Sequence, residues 1–185
     1  MKYYTGIGDN GDTLLPNNIK ISKDSEITNI IGDIDELNSL FGLIINYIDD
    51  EYINNIIKSI QDRLFNIGAE IIIVNSNTNK KDNIKFNFSE KNIKDLEEVI
   101  DEISIKLSDL NKFILPGGSE SASWLHYARA IVRKVERNFV GFSKTNKLNP
   151  NILKYINRLS SFFFVAARYM NKKEGIKEIN PTYTP

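Results

Sequence analysis

The sequence has no cysteine and a single histidine, His126, among its 185 residues. Disulfides, thiolate metal sites and a cysteine nucleophile are thereby excluded, and any catalytic triad would have to recruit His126. Long hydrophobic runs are also missing. The longest, Ile71 to Val74 and Phe162 to Ala167, fall far short of the ~20 apolar residues that cross a bilayer. Neither sign of charge is in excess: 24 Lys and Arg face 24 Asp and Glu, with a pI of 6.6. Bulk attraction to nucleic acid or to an anionic membrane is therefore not expected. Met1 to Asp12 shows no basic-then-apolar leader pattern. The expectation is a soluble, cytoplasmic protein with neither nucleic acid nor membrane as partner.

What is present is an ordinary globular balance of 41% hydrophobic and 26% charged residues. A chain of this length buries most of its apolar surface on folding and needs no covalent staple. We expect one domain over residues 1–185: an arm over 1–25, a helical body over 26–173 and a loose tail over 174–185.

Apolar residues recur at three- and four-residue steps, as in Leu37, Leu40, Phe41, Ile44 and Ile48, which is the signature of one buried helix face. The pattern predicts helices over about 26–49, 52–74, 89–110, 120–140 and 151–172. Ser89 stands as a helix cap and Pro150 precedes the last helix. Phe113 to Gly118, with its Pro–Gly–Gly, is a break. The arm reads as irregular or weakly extended. Together these elements predict an all-α, five-helix antiparallel bundle with a non-helical N-terminal arm. No Glu-x-x-His motif occurs, which removes a ferritin-like carboxylate metal site, and no metal ligand is assigned.

The arm, Thr5 to Thr13, matches G-x-G-x-x-G through Gly6, Gly8 and Gly11. The dinucleotide reading fails, because that motif needs a preceding strand and a helix opening at the third glycine. A P-loop fails too, since Asp12 stands where the phosphate-binding lysine belongs. Two readings stay open. Closely spaced glycines let backbone N–H groups approach an anion, with Thr5 and Thr13 adding hydroxyl donors and Asp9 orienting the loop or facing a metal. The other reading is a flexible arm with turn glycines.

On the fourth helix Arg129, Arg133 and Glu136 fall in one stripe, with Arg137 at its edge, beside the apolar stripe Leu125, Ala128, Val132, Val135 and Phe139. Guanidiniums there suit phosphate or carboxylate binding; a solvated basic face is the alternative. On the fifth helix Asn157, Ser161, Phe164 and Arg168 share a face opposite Leu159, Phe163, Ala166 and Met170. A phenylalanine amid Asn, Ser and Arg suits a ligand pocket or a subunit contact, against ordinary surface scatter. The first helix sets Asp35, Ser39, Gly42 and Asn46 opposite its core face. Glycine inside a helix costs about 1 kcal/mol against alanine, so Gly42 signals close approach of another segment or chain. Asp35 is then either an interface partner for an arginine or a solvated carboxylate. His126, beside Trp124 and Leu125, reads as a packed or interface histidine.

As a set, Thr5 to Thr13, Gly32 to Ser39, Gln61 to Ala69, Phe113 to Gly118, His126 to Arg137 and Tyr155 to Ser160 resemble the PduO-type ATP:cob(I)alamin adenosyltransferases in order and spacing. The resemblance covers nearly the whole chain. It implies transfer of the 5′-deoxyadenosyl group of ATP to Co(I) of a corrinoid, with release of triphosphate. ATP and cob(I)alamin are the implied substrates and Mg²⁺ the implied ion. It also implies a five-helix bundle of ferritin-like topology, a homotrimer with active sites between subunits, and a reductase partner.

By motif position the resemblance assigns catalytic roles to Arg129, Asp35 and Phe113, with Arg129 and Asp35 paired across the interface. It gives ATP binding to Thr5, Gly6, Gly8, Asp9, Gly11, Thr13, Lys23, Arg133, Glu136 and Asn157. Phe113 and Phe164 become the apolar wall under the corrin ring. Two positions depart from the family pattern: Gly6 stands where many members have Lys or Arg, and Ser161 where an acid is usual. A non-catalytic corrinoid or nucleotide carrier and a structural helical interaction protein are the alternatives, and product formation separates them from the enzyme.

Overall fold

A computed structural model describes residues 3–4, 6–15, 18–75 and 88–182. Thr5 lies outside the described residues. Five helices make the body: α1 (Glu26–Ile45), α2 (Glu51–Asn75), α3 (Glu90–Ser104), α4 (Glu120–Phe142) and α5 (Pro150–Lys173). Polar side chains start several of them. Ser25 Oγ accepts the Thr28 amide at 3.2 Å, Ser119 Oγ the Ala122 amide at 3.2 Å, and Asn149 Oδ1 the Asn151 amide at 3.0 Å. Each such cap is worth about 1 kcal/mol because it satisfies an amide with no partner inside the helix.

The apolar stripes of α1, α2, α4 and α5 close on one core. Phe41 of α1 meets Phe163 of α5 with ring centres 4.7 Å apart, and both are fully buried. Leu125, Ala128, Val132, Val135 and Phe139 are all buried on α4, as their spacing predicts. Among the described residues the α4–α5 contact is the most extensive. Gly42 is half-buried, and a Cβ there would stand 3.4 Å from Gln61 Nε2 of α2, so the close approach is made inside the chain.

One expectation is sharpened and two change. The arm forms a short antiparallel hairpin, β1 (Asp12–Leu15) with β2 (Ile19–Ser22), pairing Thr13 with Ile21. A single 3-10 turn, Ile7–Asn10, precedes it. α3 ends at Ser104 rather than near Leu110. The carbonyls beyond it find partners on α5: Arg168 Nη2 donates to Ser108 O at 2.9 Å, and Lys172 Nζ donates to Lys106 O. Tertiary donors thus replace the helical amides that a continuing helix would have supplied. Finally, the tail from Glu174 is docked rather than loose. Glu178 pairs with Arg168 at 2.9 Å, and the Leu115 amide donates to Ile179 O at 2.8 Å.

Candidate active site

The polar stripes of α4 and α5 face one another beside the loop that joins α3 to α4. Asn157 Nδ2 of α5 donates to Glu136 Oε1 of α4 at 2.6 Å, joining the two residues that spacing alone had placed on separate helices. Arg158 holds Asn157 from the other side, through Nη1 to Oδ1 at 2.9 Å. One to two turns along α4 toward its N-terminus from this pair, a cavity of about 700 Å³ opens. Phe113 and Ile114 of the loop, His126, Arg129 and Arg133 of α4, and Phe164 of α5 line it. The size suits an organic ligand.

Its wall combines apolar rings with cations. The Arg129 guanidinium carbon lies 5.9 Å from the centre of the Phe164 ring, within cation–π range. His126 meets the same ring edge-on with centres 6.1 Å apart. Phe113 is 77% exposed and stands at the mouth, whereas Phe164 is half-buried. Burial holds the Arg129 guanidinium below its ordinary range, and the neighbouring Arg133 adds to the effect. His126 is likewise lowered, by burial first and then by Arg129, with Glu178 opposing. Its imidazole is therefore neutral near pH 7.

Several buried polar atoms here have no partner within the described residues: Arg129 Nε and both ring nitrogens of His126. A buried guanidinium donor left unsatisfied costs roughly 1–3 kcal/mol or more. Asp35, the expected partner of Arg129, is exposed on α1 and makes no ion pair among the described residues. Its neighbours Asp33 and Glu36 face α4, bonding Asn138 at 2.9 Å and Lys134 at 3.3 Å, which leaves Asp35 on another side of the helix.

The arm forms a second group. Gly6 and Gly11 adopt φ of 72° and 84°, left-handed conformations that favour glycine. Lys23 folds back over the turn: its ammonium donates to Gly8 O at 2.8 Å and its amide to Gly11 O at 2.8 Å. A Cβ on Gly8 would lie 2.8 Å from Lys23 Nζ, so a side chain there would push the lysine from its present position over the turn. Asp9 flanks the same turn and Thr13 sits half-buried on β1. None of these arm residues lines the cavity. The structure therefore brings Lys23 to the glycines and Arg129, Arg133, Phe113 and Phe164 to each other, but leaves the two groups apart within one chain.

Sequence reasoning missed the residues that hold the loop. Asn171 Nδ2 donates to Gly117 O at 2.9 Å and its Oδ1 accepts the Ser119 amide at 2.9 Å. A Cβ on Gly118, which has φ of 116°, would fall 2.0 Å from that Oδ1. The Pro–Gly–Gly signal was legible; the asparagine it packs against, more than fifty residues away, was not.

A family model described as cobalamin adenosyltransferase matches residues 3–170. A corrinoid adenosyltransferase of Bacillus subtilis is 39% identical over 183 residues, covering 97% of this chain and 91% of that protein. Two solved structures from Lactobacillus reuteri are similar across the fold. One, a phenylalanine-to-histidine variant of a PduO-type ATP:corrinoid adenosyltransferase complexed with cobalamin and ATP, is 33% identical with a TM-score of 0.89, over 100% of this chain and 98% of that one. The other, an arginine-to-lysine variant complexed with ATP, is 34% identical with a TM-score of 0.85, over 96% of this chain and 99% of that one.

Proposed function

Because the chain belongs to the cobalamin adenosyltransferase family, we propose that it is a transferase moving the 5′-deoxyadenosyl group of ATP onto the cobalt of a reduced corrinoid. The observation that carries this reading is the cavity wall itself. Two arginines stand beside two phenylalanines, in a chain with no cysteine and with its one histidine buried and neutral.

The chemistry requires little else. Co(I) in a corrinoid is a strong nucleophile, so the protein need not supply one. The cobalt lone pair attacks C5′ of ATP, a Co–C bond forms, the C5′–O bond breaks, and its electron pair leaves with triphosphate. What remains for the protein is to hold the two substrates in line and stabilise charge on the departing oxygens. Arg133, exposed at the cavity, would hold triphosphate oxygens, and the Lys23–glycine turn would wrap the nucleotide. The Glu136–Asn157 pair would complete that nucleotide site. Each charge-assisted hydrogen bond is worth about 1.5–3 kcal/mol, so a few such contacts lower the barrier substantially.

Phe113 and Phe164 would lie under the corrin ring. Apolar rings there exclude the lower axial ligand and leave Co(II) four-coordinate, which makes its reduction to Co(I) easier. The electron would come from a reductase acting in the cytoplasm.

The separation of the arm from the cavity favours a site shared between copies of the chain, as a homotrimer. Asp35 of one copy would then meet the unsatisfied Arg129 of another. Among the described residues no cluster of three or more acidic or histidine side chains could hold a metal ion. Mg²⁺ would travel on the ATP phosphates, where it supplies charge neutralisation.

Phosphorus NMR of the protein incubated with ATP and chemically reduced cobalamin tests the reading. One triphosphate released per corrinoid alkylated supports it. Diphosphate or phosphate as the product, or no product, refutes it.

A further inference from the structure

We propose that Asn180 is a positioning residue for the Phe113 wall, and that the tail after α5, fastened by Glu178, is the strap through which it acts. For its chemical consequence this rests on the adenosyltransferase reading.

The Phe113 ring is 77% exposed, so packing does not fix it. Its position must come from the backbone, and the tail holds that backbone at the Phe113 carbonyl and just beyond it. Asn180 Nδ2 donates to Phe113 O at 2.8 Å, and two residues later the Leu115 amide donates to Ile179 O at 2.8 Å. Elsewhere the loop leans on α5: Arg168 reaches Ser108 O upstream, and Asn171 holds Gly117 and Ser119 downstream. The centre, which carries the ring, is held only by the tail among the described contacts.

The strap is itself anchored. Arg168, 8% exposed, donates through Nε to both Glu178 oxygens at 2.9 and 3.2 Å and through Nη2 at 3.2 Å. This bidentate pair is the strong form of ion pairing. The Ile176 amide donates to Asn171 O at 2.8 Å, and Glu174 accepts from Ser119 Oγ at 3.1 Å and from Ser121 Oγ. Arg168 thus grips the loop at Ser108 and the tail at Glu178 at once, so a shift in the tail moves the loop. A wall ring displaced by about 1 Å can lower a rate about a hundredfold where alignment matters.

The test compares wild type with Asn180→Ala, Asn180→Asp and Glu178→Gln. Asn180→Ala removes the donor to Phe113 O; Asn180→Asp keeps the shape but sets an acceptor against it. In the free protein, hydrogen exchange at the Leu115 amide should rise about tenfold or more in both Asn180 variants, with α4 and α5 amides unchanged. With ATP and Co(II) corrinoid bound, the four-coordinate fraction seen by electron paramagnetic resonance should fall several-fold, while KM for ATP holds. Glu178→Gln should move both readouts the same way, by less.

Unchanged Leu115 exchange overturns the strap. An unchanged four-coordinate fraction overturns the positioning role, provided Phe113→Ala lowers it. If wild type itself gives neither that signal nor product, the adenosyltransferase reading fails, and Leu115 exchange alone then decides whether the strap exists.

Discussion

Arg129 and Phe164 share one contact, guanidinium over ring at 5.9 Å, with the Arg129 Nε buried and without a partner among the described residues. The polar and apolar halves of the cavity are therefore one unit. A change on either side is felt by the other. Arg129→Lys keeps the charge but loses the planar face and the Nε donor. It should lower kcat/KM about tenfold to a hundredfold, the equivalent of one charge-assisted hydrogen bond. A steady-state assay within twofold of wild type would mean that this geometry is incidental.

Arg129 Nε and the Asp35 carboxylate have no partner among the described residues, and their pairing across copies predicts compensation. Asp35→Arg and Arg129→Asp should each weaken assembly and activity, and the double variant should recover part of both. Sedimentation and turnover measured on all four proteins give the interaction energy. Strictly additive losses would show that the two residues do not meet.

Arm and cavity can be separated genetically. Lys23→Ala spoils the arm group and Arg133→Ala the cavity group, and each homo-oligomer should be nearly inactive. Co-assembled, the two variants should regain a fraction of wild-type turnover, because some sites then combine an intact arm with an intact cavity. A mixture no more active than its components would place both groups in one chain's site.

The fold was largely legible because its information is local. Stripes such as Leu125, Ala128, Val132, Val135 and Phe139 state which face is buried without reference to the rest of the chain. The limits of α3 were not legible. Ile103, Leu107 and Leu110 continue a helical period, and only donors from Arg168 and Lys172 on α5 make an early end favourable. The site divides in the same way. Arg129, Arg133 and Glu136 follow from spacing on one helix, and the Glu136–Asn157 bond follows once α4 and α5 pack. Glu178 and Asn180 gave no local signal, because their meaning lies in partners far away in sequence.

The Gly118 turn makes a stability prediction. With φ of 116° and a virtual Cβ 2.0 Å from Asn171 Oδ1, Gly118→Ala must both strain the backbone and break the Asn171 clip. We expect a loss of about 2–4 kcal/mol in chemical denaturation. Gly141→Ala, a helical site with open space around it, should be neutral or slightly stabilising. Equal effects at both positions would contradict the account of the loop.

His126 gives a pH prediction. Burial and Arg129 hold its folded pKa below the ordinary value of 6.5, so the unfolded chain binds its proton first as pH falls. Stability from this group is fully present above about pH 6.5 and is lost as the medium is acidified below it. Melting curves from pH 7.5 to 5 should fall more steeply for wild type than for His126→Asn. Parallel curves would show that the imidazole is not held neutral by its surroundings.

The most direct test is an anaerobic absorbance record of Co–C bond formation from ATP and chemically reduced cobalamin. The account predicts an alkylcobalt spectrum that grows only when protein, ATP and reduced corrinoid are all present, and that is nearly abolished by Arg133→Ala. A Co(I) spectrum that persists unchanged beside intact ATP and folded wild-type protein would contradict it.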